Sequence, residues 1–97
     1  MAYGYLASMK TKSGHRDEVV AILLSGVQGL REAGCQLYII GVPADDEVTI
    51  VVSEVWPSKD QHDAALQFPA AKAAIATAML TGEFTGQEVD VVGGLGV

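Results

Sequence analysis

The chain has few of the residues on which the commonest metal and nucleic-acid sites depend. Among its 97 residues there are one cysteine and two histidines, so an internal disulfide is excluded and no metal-ligand spacing is present. Only 6 residues are Lys or Arg against 12 Asp or Glu, which gives a net charge of −6. Because phosphate backbones bind clustered basic side chains, we expect no nucleic-acid partner.

Long apolar runs and targeting signals are also missing. No apolar run approaches the roughly 18–20 residues that span a membrane, and the N-terminal segment lacks the basic flank and apolar core of a signal peptide. A lone cysteine, Cys35, is typical of a reducing compartment. We therefore expect a cytoplasmic protein with no membrane contact, no bound metal, flavin or haem, and Cys35 as a buried, inert thiol.

The apolar content, in contrast, is high for a chain of this size. A length of 97 residues predicts a single domain over residues 1–97, and 49% of the residues are hydrophobic. The outside of a small monomer does not need so much apolar surface. The surplus predicts a second buried surface and hence an oligomer.

Hydrophobic periodicity and turn residues predict a β-α-β-β-α-β order. Ser13 is the expected N-cap of the first helix, Gly34 its C-terminal glycine, and Thr81-Gly82 the end of the last helical segment. The order is that of the ferredoxin-like split βαβ fold, an α+β fold with an antiparallel sheet and helices on one face. The predicted strands are 3–12, 35–42, 47–56 and 87–92, and the predicted helices are 15–31, 58–67 and 69–80.

The third predicted strand is apolar on both faces. Helices of the chain can cover only one face of such a sheet, and a second copy packed sheet on sheet would cover the other. We expect an interface on the order of 2,000 Å² or more, as in obligate dimers, with the last strand, 87–92, reaching the partner. Val48, Ile50 and Val52 are expected on one face, and Val51 and Val55 on the other.

The segment 48–68, VTIVVSEVWPSKDQHDAALQF, contains the most informative motif. A strand ends in Glu54-Val55-Trp56, Pro57 stops it, Ser58 is placed to cap a short helix, and His62 lies in that helix's first turns. This arrangement resembles the antibiotic-biosynthesis monooxygenase family of small dimeric α/β barrels. The other segments fit the family's layout in order, so the resemblance covers nearly the whole chain.

The resemblance implies a cofactor-independent monooxygenase acting on a small aromatic quinol or phenol, or on a polyketide-like ring. The family also includes haem-degrading enzymes, but the Asn, Trp and His of that branch align with Ala7, Ala65 and Ile75. Ala65 and Ala70 occupy the positions at which quinol monooxygenase relatives often have further histidines, so His62 is the one histidine of that set in this chain. The alternative is a non-catalytic small-molecule-binding or stress-response dimer of the same fold.

Several candidate side chains have both a functional and a structural interpretation. His62 can move a substrate proton near neutral pH, but its polar sequence neighbours also suit a partly exposed helix position. Trp56 either lines a pocket or plugs the edge of the barrel. Glu54 either pairs with a basic residue or acts as a base whose pKa is raised by burial.

The tyrosines on the predicted strands extend this set. Tyr3 and Tyr5 share a face, and a phenol on a central strand either packs in the core or binds a ligand. We predict a cavity between the helices of 58–80 and the sheet. The predicted catalytic residues are His62 and Trp56, and the predicted substrate-binding residues are Tyr5, Tyr38, Leu66, Phe68 and Ile75.

Overall fold

Strands and helices follow one another along the chain in the predicted order. The structure is a computed structural model that describes residues 2–65 and 76–96. Its elements are β1 (Ala2–Thr11), α1 (Arg16–Ser25), α2 (Val27–Glu32), β2 (Leu37–Gly41), β3 (Thr49–Trp56), α3 (Lys59–Ala65) and β4 (Leu80–Val91), and residues 76–78 are helical. None of the helices in the described ranges is long and apolar enough to cross a membrane.

The four strands form one antiparallel sheet in the order β2-β3-β1-β4. The predicted hairpin of the second and third strands is present, and the two central strands are β1 and β3. The predicted α+β ferredoxin-like fold is therefore confirmed. The sheet does not close on itself, so β2 and β4 are its edges.

Most of the buried apolar side chains of the sheet lie on one face, where they form two clusters, while the buried Val55 lies on the other face. Strand pairing places Ala7 beside Val52, and both pack with Val19 of α1 and Ile50 in the first cluster. Each aliphatic side chain that is fully buried contributes about 1.5–3 kcal/mol. The second cluster consists of Tyr3, Trp56 and Ala65, and it lies where α3 meets the sheet.

The first helical segment differs from the prediction of one helix over 15–31. It is divided at Gly26 into α1 and α2, because a Ser-Gly pair has low helix propensity and Ser25 Oγ donates to the carbonyl of Ile22 at 2.6 Å. The predicted N-cap Ser13 is wrong, since His15 occupies that position without a side-chain capping bond. Gly34 follows the C-cap Ala33 with a φ of +107°, as a terminating glycine should.

The last strand is twice as long as predicted. It extends over Leu80–Val91 rather than 87–92, and Thr81-Gly82, predicted as a closing turn, lies inside it. Pairing with almost the whole of β1, from Ala2 to Thr11, overrides these local turn signals. The pattern of the predicted helix 69–80 places Ala71, Ile75, Ala78 and Met79 in the core. Ala78 is instead exposed, Met79 is partly buried against the core, and Ala71 and Ile75 lie outside the described residues.

The loop between β2 and β3 is organised by one carboxylate. Asp46 Oδ1 accepts hydrogen bonds from the backbone N–H groups of Val48 and Thr49 at 2.8 and 2.7 Å, and Oδ2 accepts one from Thr49 Oγ1 at 2.6 Å. Hydrogen bonds from Thr49 and Val48 lower the pKa of Asp46 to about 2. Arg16 Nη1 donates to the Asp46 carbonyl at 2.6 Å, which ties the start of α1 to the loop.

Replacing Asp46 by Asn should remove part of the pH dependence of stability. The folded-state pKa lies below the unfolded value of about 3.9, so the charged form stabilises the fold above that value, and this stabilisation is lost as the pH falls towards about 2. The free energy of unfolding of wild type should exceed that of Asp46→Asn at about pH 6, and the difference should shrink towards pH 2–3. Urea unfolding across this range measures it.

Asp45→Asn is the matched control, because Asp45 makes no hydrogen bond within residues 2–65 and 76–96. It should leave the acid limb of the stability curve unchanged. If the free energies of unfolding of wild type and Asp46→Asn differed by the same amount at every pH in this range, the stabilising charge would not be the one on Asp46.

Candidate functional site

His62 is buried against the sheet, although the sequence predicts a partly exposed position. Its helix α3 begins where predicted, since Ser58 Oγ accepts a hydrogen bond from the backbone N–H of Gln61 at 3.3 Å. Of the seven residues of α3, only His62 and Ala65 are buried, and the 3% exposure of His62 makes it a core residue. Residues three apart share a helix face, so this pair forms the surface that meets the sheet.

Aromatic rings surround the imidazole on the side of the sheet. The ring centroids of Tyr3 and Tyr5 each lie 5.0 Å from that of His62, and the Trp56 centroid lies 6.0 Å away in an edge-on arrangement. Tyr3 and Tyr5 are at alternate positions of β1, and Trp56 is opposite Tyr3 on β3. The predicted catalytic pair, His62 and Trp56, is therefore brought together with one predicted binding residue, Tyr5.

The two ring nitrogens of His62 have different environments. Nδ1 lies 3.1 Å from Asp63 Oδ1, whereas Nε2 is buried and has no hydrogen-bond partner among the residues that the structure describes. An unpaired buried polar atom costs about 1–3 kcal/mol. Nε2 therefore has a hydrogen-bonding capacity that no described residue uses.

Trp56 of β3 supplies an apolar ring to this face of the sheet, and Tyr38 of β2 supplies a neutral phenol. Trp56 is fully buried, and its Nε1 donates to Glu54 Oε1 at 3.0 Å. Within the described residues Glu54 has no basic partner, so its pairing with a basic residue stays a prediction. Tyr38 is paired in register with Glu54 on the same face. Burial, and then the charge of Glu54, raise the pKa of Tyr38 to about 12. Tyr38 is therefore a hydrogen-bond donor at neutral pH.

A polar network, formed by Tyr3, Lys59, Asp63 and Glu88, lies beside the imidazole. Glu88 Oε1 accepts from Tyr3 Oη at 3.1 Å and from Lys59 Nζ at 2.8 Å. Lys59 Nζ also lies 3.2 Å from Asp63 Oδ2. Burial and the bond to Glu88 raise the pKa of Tyr3 to about 12, whereas bonds from His62 and Lys59 lower the pKa of Asp63.

Sequence reasoning missed this polar network. The spacing of Lys59 and Asp63, four residues apart on a helix, was the available signal for their ion pair. The position of Glu88 depends on the register of β4 against β1, for which no local signal exists.

Surface cavities of the described residues include two of similar volume. One, of about 510 Å³, lies between the start of α3 and β4 and is lined by Tyr3, Lys59, Glu88 and their neighbours. The other, of about 500 Å³, lies on the far face of the sheet beside Leu6 and Val51. The predicted cavity between the helices of 58–80 and the sheet stays a prediction.

The predicted lining of that cavity is only partly described. Leu66, Phe68 and Ile75 lie outside the described residues. Tyr5, Tyr38 and Trp56 lie on the sheet face that the cavity would occupy. Among the described residues, no cluster of three His, Cys, Asp or Glu side chains could hold a metal ion. Cys35 is half-buried, and burial raises the pKa of its thiol.

Gly86 of β4 leaves the space in which the Tyr5 ring lies. A Cβ atom at position 86 would overlap the Tyr5 hydroxyl and would lie only 2.7 Å from its Cζ. The hydroxyl itself makes no hydrogen bond within the described ranges. The absence of a side chain at Gly86 therefore lets the Tyr5 ring lie close to the imidazole of His62.

Replacing Gly86 by alanine should displace Tyr5 and destabilise the fold. We expect a loss of about 1–3 kcal/mol in the free energy of unfolding, as for other overpacked sites, together with a changed chemical shift of the Tyr5 ring. Gly29→Ala is the control, because a Cβ there meets no heavy atom within 4 Å; on the helix α2 it should be neutral or stabilising. Equal stability of the two variants would contradict the close packing.

Comparisons with known proteins agree with this fold. The sequence profile named antibiotic biosynthesis monooxygenase matches residues 2–77. A candidate antibiotic biosynthesis monooxygenase from Chloroflexus aurantiacus J-10-fl is 30% identical, with a TM-score of 0.84, and the match covers 97% of this chain and 96% of that one. No curated protein matches significantly.

Two further solved structures share the fold at lower identity. Rv0793 from Mycobacterium tuberculosis is 18% identical with a TM-score of 0.81, covering 98% of this chain and 99% of its own. A point-mutant form of SnoaB, a cofactor-independent oxygenase from Streptomyces nogalater, is 14% identical with a TM-score of 0.78, covering 97% and 96%.

Proposed function

The chain belongs to the antibiotic biosynthesis monooxygenase family, and we propose that it is a cofactor-independent monooxygenase of small aromatic quinols or phenols, polyketide-like rings included. The observation that supports this most is the buried Nε2 of His62, which has no partner in residues 2–65 and 76–96 and lies among the rings of Tyr3, Tyr5 and Trp56. Such a nitrogen can accept a proton from a ring hydroxyl in a place sheltered from water.

The proposed reaction needs only a base and dioxygen. His62 Nε2 takes the proton of a quinol hydroxyl, and the resulting anion transfers one electron to dioxygen. The radical pair combines into a peroxide anion on a ring carbon that bears hydrogen, and the imidazolium of His62 protonates this anion to the hydroperoxide. Loss of water leaves a carbonyl there, so one oxygen atom enters the product, the other leaves as water, and the substrate supplies all four electrons.

The other side chains have supporting roles in this proposal. The hydroxyl of Tyr5 has no partner within the described residues and can donate to the developing phenolate oxygen. Tyr38, whose pKa burial raises to about 12, is a second neutral donor on the same face. Trp56 is fully buried with its N–H bonded to Glu54, so it supplies apolar wall rather than a hydrogen bond.

We also propose that the protein acts as a homodimer formed sheet on sheet. On the face opposite Tyr3 and Tyr5, no helix of the described residues covers the sheet, and its apolar side chains Leu6, Ile39 and Val51 are 45%, 54% and 40% exposed. These residues lie on three adjacent strands, so they form one continuous surface. Burying it against a second copy gives each sheet a second layer.

Leu6→Lys should therefore produce a monomer. A lysine in the middle of the apolar face would bury an unpaired charge in the interface, while in the monomer it is solvated. Sedimentation at micromolar concentration should give about twice 10.1 kDa for wild type and the single mass for Leu6→Lys. Leu24→Lys, at a 52% exposed position of α1, should remain dimeric. A monomeric wild type would overturn the proposal.

Removing the imidazole of His62 should abolish most oxygen consumption. With a panel of quinols in an oxygen electrode, His62→Gln should be slower than wild type by roughly 10²–10⁴-fold, the usual contribution of a general base. Added imidazole should restore part of the rate to His62→Ala. Because His62 is buried, this variant should also lose about 1–3 kcal/mol of stability, so its folding is measured in parallel.

His15→Ala is the matched control, since the side chain of His15 is 44% exposed and lies at the start of α1. It should keep full activity. A wild type that consumes oxygen equally fast with and without His62 would remove His62 from the mechanism. A folded wild type inert toward the whole panel would favour the non-catalytic binding protein of the same fold.

A further inference from the structure

We propose that Asp63 is a positioning residue that keeps the proton of neutral His62 on Nδ1, so that Nε2 faces the substrate as a proton acceptor. The inference rests on the proposed function for its catalytic meaning, but the tautomer itself can be measured in the resting protein.

The contact between Asp63 and His62 determines which nitrogen has the hydrogen. Asp63 Oδ1 lies 3.1 Å from Nδ1, and an ionised carboxylate can only accept hydrogen bonds. Nδ1 must then be the donor, and a neutral imidazole that has hydrogen on Nδ1 has a lone pair on Nε2. This is the nitrogen that is buried without a partner in the described part of the chain.

Lys59 fixes the orientation of the carboxylate. Its Nζ lies 3.2 Å from Asp63 Oδ2, the oxygen that does not contact the imidazole, and 2.8 Å from Glu88 Oε1 on β4. The Asp63 carboxylate is thus held between two donors, one for each oxygen. The pKa of Asp63 is lowered by its hydrogen bonds from His62 and Lys59, so it remains ionised in neutral solution.

The charged and titratable groups around the imidazole come from four elements. β1 supplies Tyr3 and Tyr5, and α3 supplies Lys59 and Asp63. β3 supplies Glu54, whose carboxylate accepts a hydrogen bond from the Trp56 indole. β4 supplies Glu88, which accepts hydrogen bonds from Lys59 and Tyr3. Of these groups, Asp63 alone forms a hydrogen bond with the imidazole among the described residues.

The proton transfer that follows uses both nitrogens. The substrate O–H bond breaks, its proton joins Nε2, and the electron pair stays on the substrate oxygen. The Nδ1–H bond does not break, and the carboxylate 3.1 Å away stabilises the positive imidazolium. The imidazolium first returns the proton to the peroxide anion, which becomes the hydroperoxide. Nε2 then takes the proton of the ring carbon as the O–O bond breaks, and passes it to the leaving hydroxide, which completes the water molecule.

Nitrogen NMR of the intact protein labelled with ¹⁵N-histidine tests the tautomer without any substrate. At about pH 8, wild-type His62 should show a protonated Nδ1 and an unprotonated Nε2. Asp63→Ala should shift the proton to Nε2, the tautomer that free imidazole prefers, whereas Asp63→Asn should keep the Nδ1–H form because its amide oxygen still accepts. An Nε2–H tautomer in wild type, or an unchanged pattern in Asp63→Ala, would overturn the inference.

Kinetics provide the second readout. Asp63→Ala should lower kcat on the order of 10–10²-fold, the scale of a misplaced catalytic group, with a smaller change in KM and partial recovery in Asp63→Asn. Asp60→Ala, an exposed acidic residue of the same helix, should behave as wild type. An active enzyme whose kcat is unaffected by Asp63→Ala would refute the positioning role.

The two readouts separate this inference from the proposed function. If the NMR result is as expected but wild type consumes no oxygen with any quinol, the monooxygenase proposal fails and the assignment of the tautomer to Asp63 stands. If wild type is active and His62→Gln is not, but His62 has its proton on Nε2, the monooxygenase proposal stands and the inference fails.

Discussion

The pairing of β1 with strands on both sides is the constraint on which the candidate site depends. Tyr3 lies opposite Trp56 of β3 and Asp90 of β4, and Tyr5 lies opposite Glu54 and Glu88. Since side chains alternate along a strand, a slip of one residue would send both tyrosines to the opposite face. The rings around His62, the bond from Tyr3 to Glu88 and the space above Gly86 all require this one register.

A histidine in such a position lowers the stability of the fold, which favours a functional role for it. The side chain is enclosed by aromatic rings, and one of its nitrogens has no partner within the described residues, whereas an aliphatic residue would fill the space without an unpaired polar atom. Departures from good packing and full hydrogen bonding are expected mainly at functional sites. The ion pairs of Lys59 with Asp63 and Glu88 are half-exposed, so they orient the imidazole more than they stabilise the fold.

The sequence was most informative where the signals are local. The strand that ends at Trp56, the cap at Ser58 and the helix-ending Gly34 all follow from residue types a few positions apart, and the β-α-β-β-α-β order follows from them. The full length of β4 could not be predicted, because pairing with β1 overrides Thr81-Gly82. The burial of His62 was also missed, because its polar neighbours in α3 suggest an exposed face. With only two buried positions, α3 has too little apolar pattern to show which of its faces packs on the sheet. The partners of Tyr3 depend on register between distant strands.

The central claim is that His62 accepts a proton from a phenolic ring bound beside it. It is tested most directly by mixing the protein with a nitrophenol in the absence of oxygen, at a pH below the pKa of the free ligand. The absorbance of the phenolate then reports proton transfer alone. We expect a phenolate band that saturates with one ring bound per chain and is nearly absent in His62→Gln. Bound ligand that stays protonated in wild type, or an equal band in the variant, would contradict it.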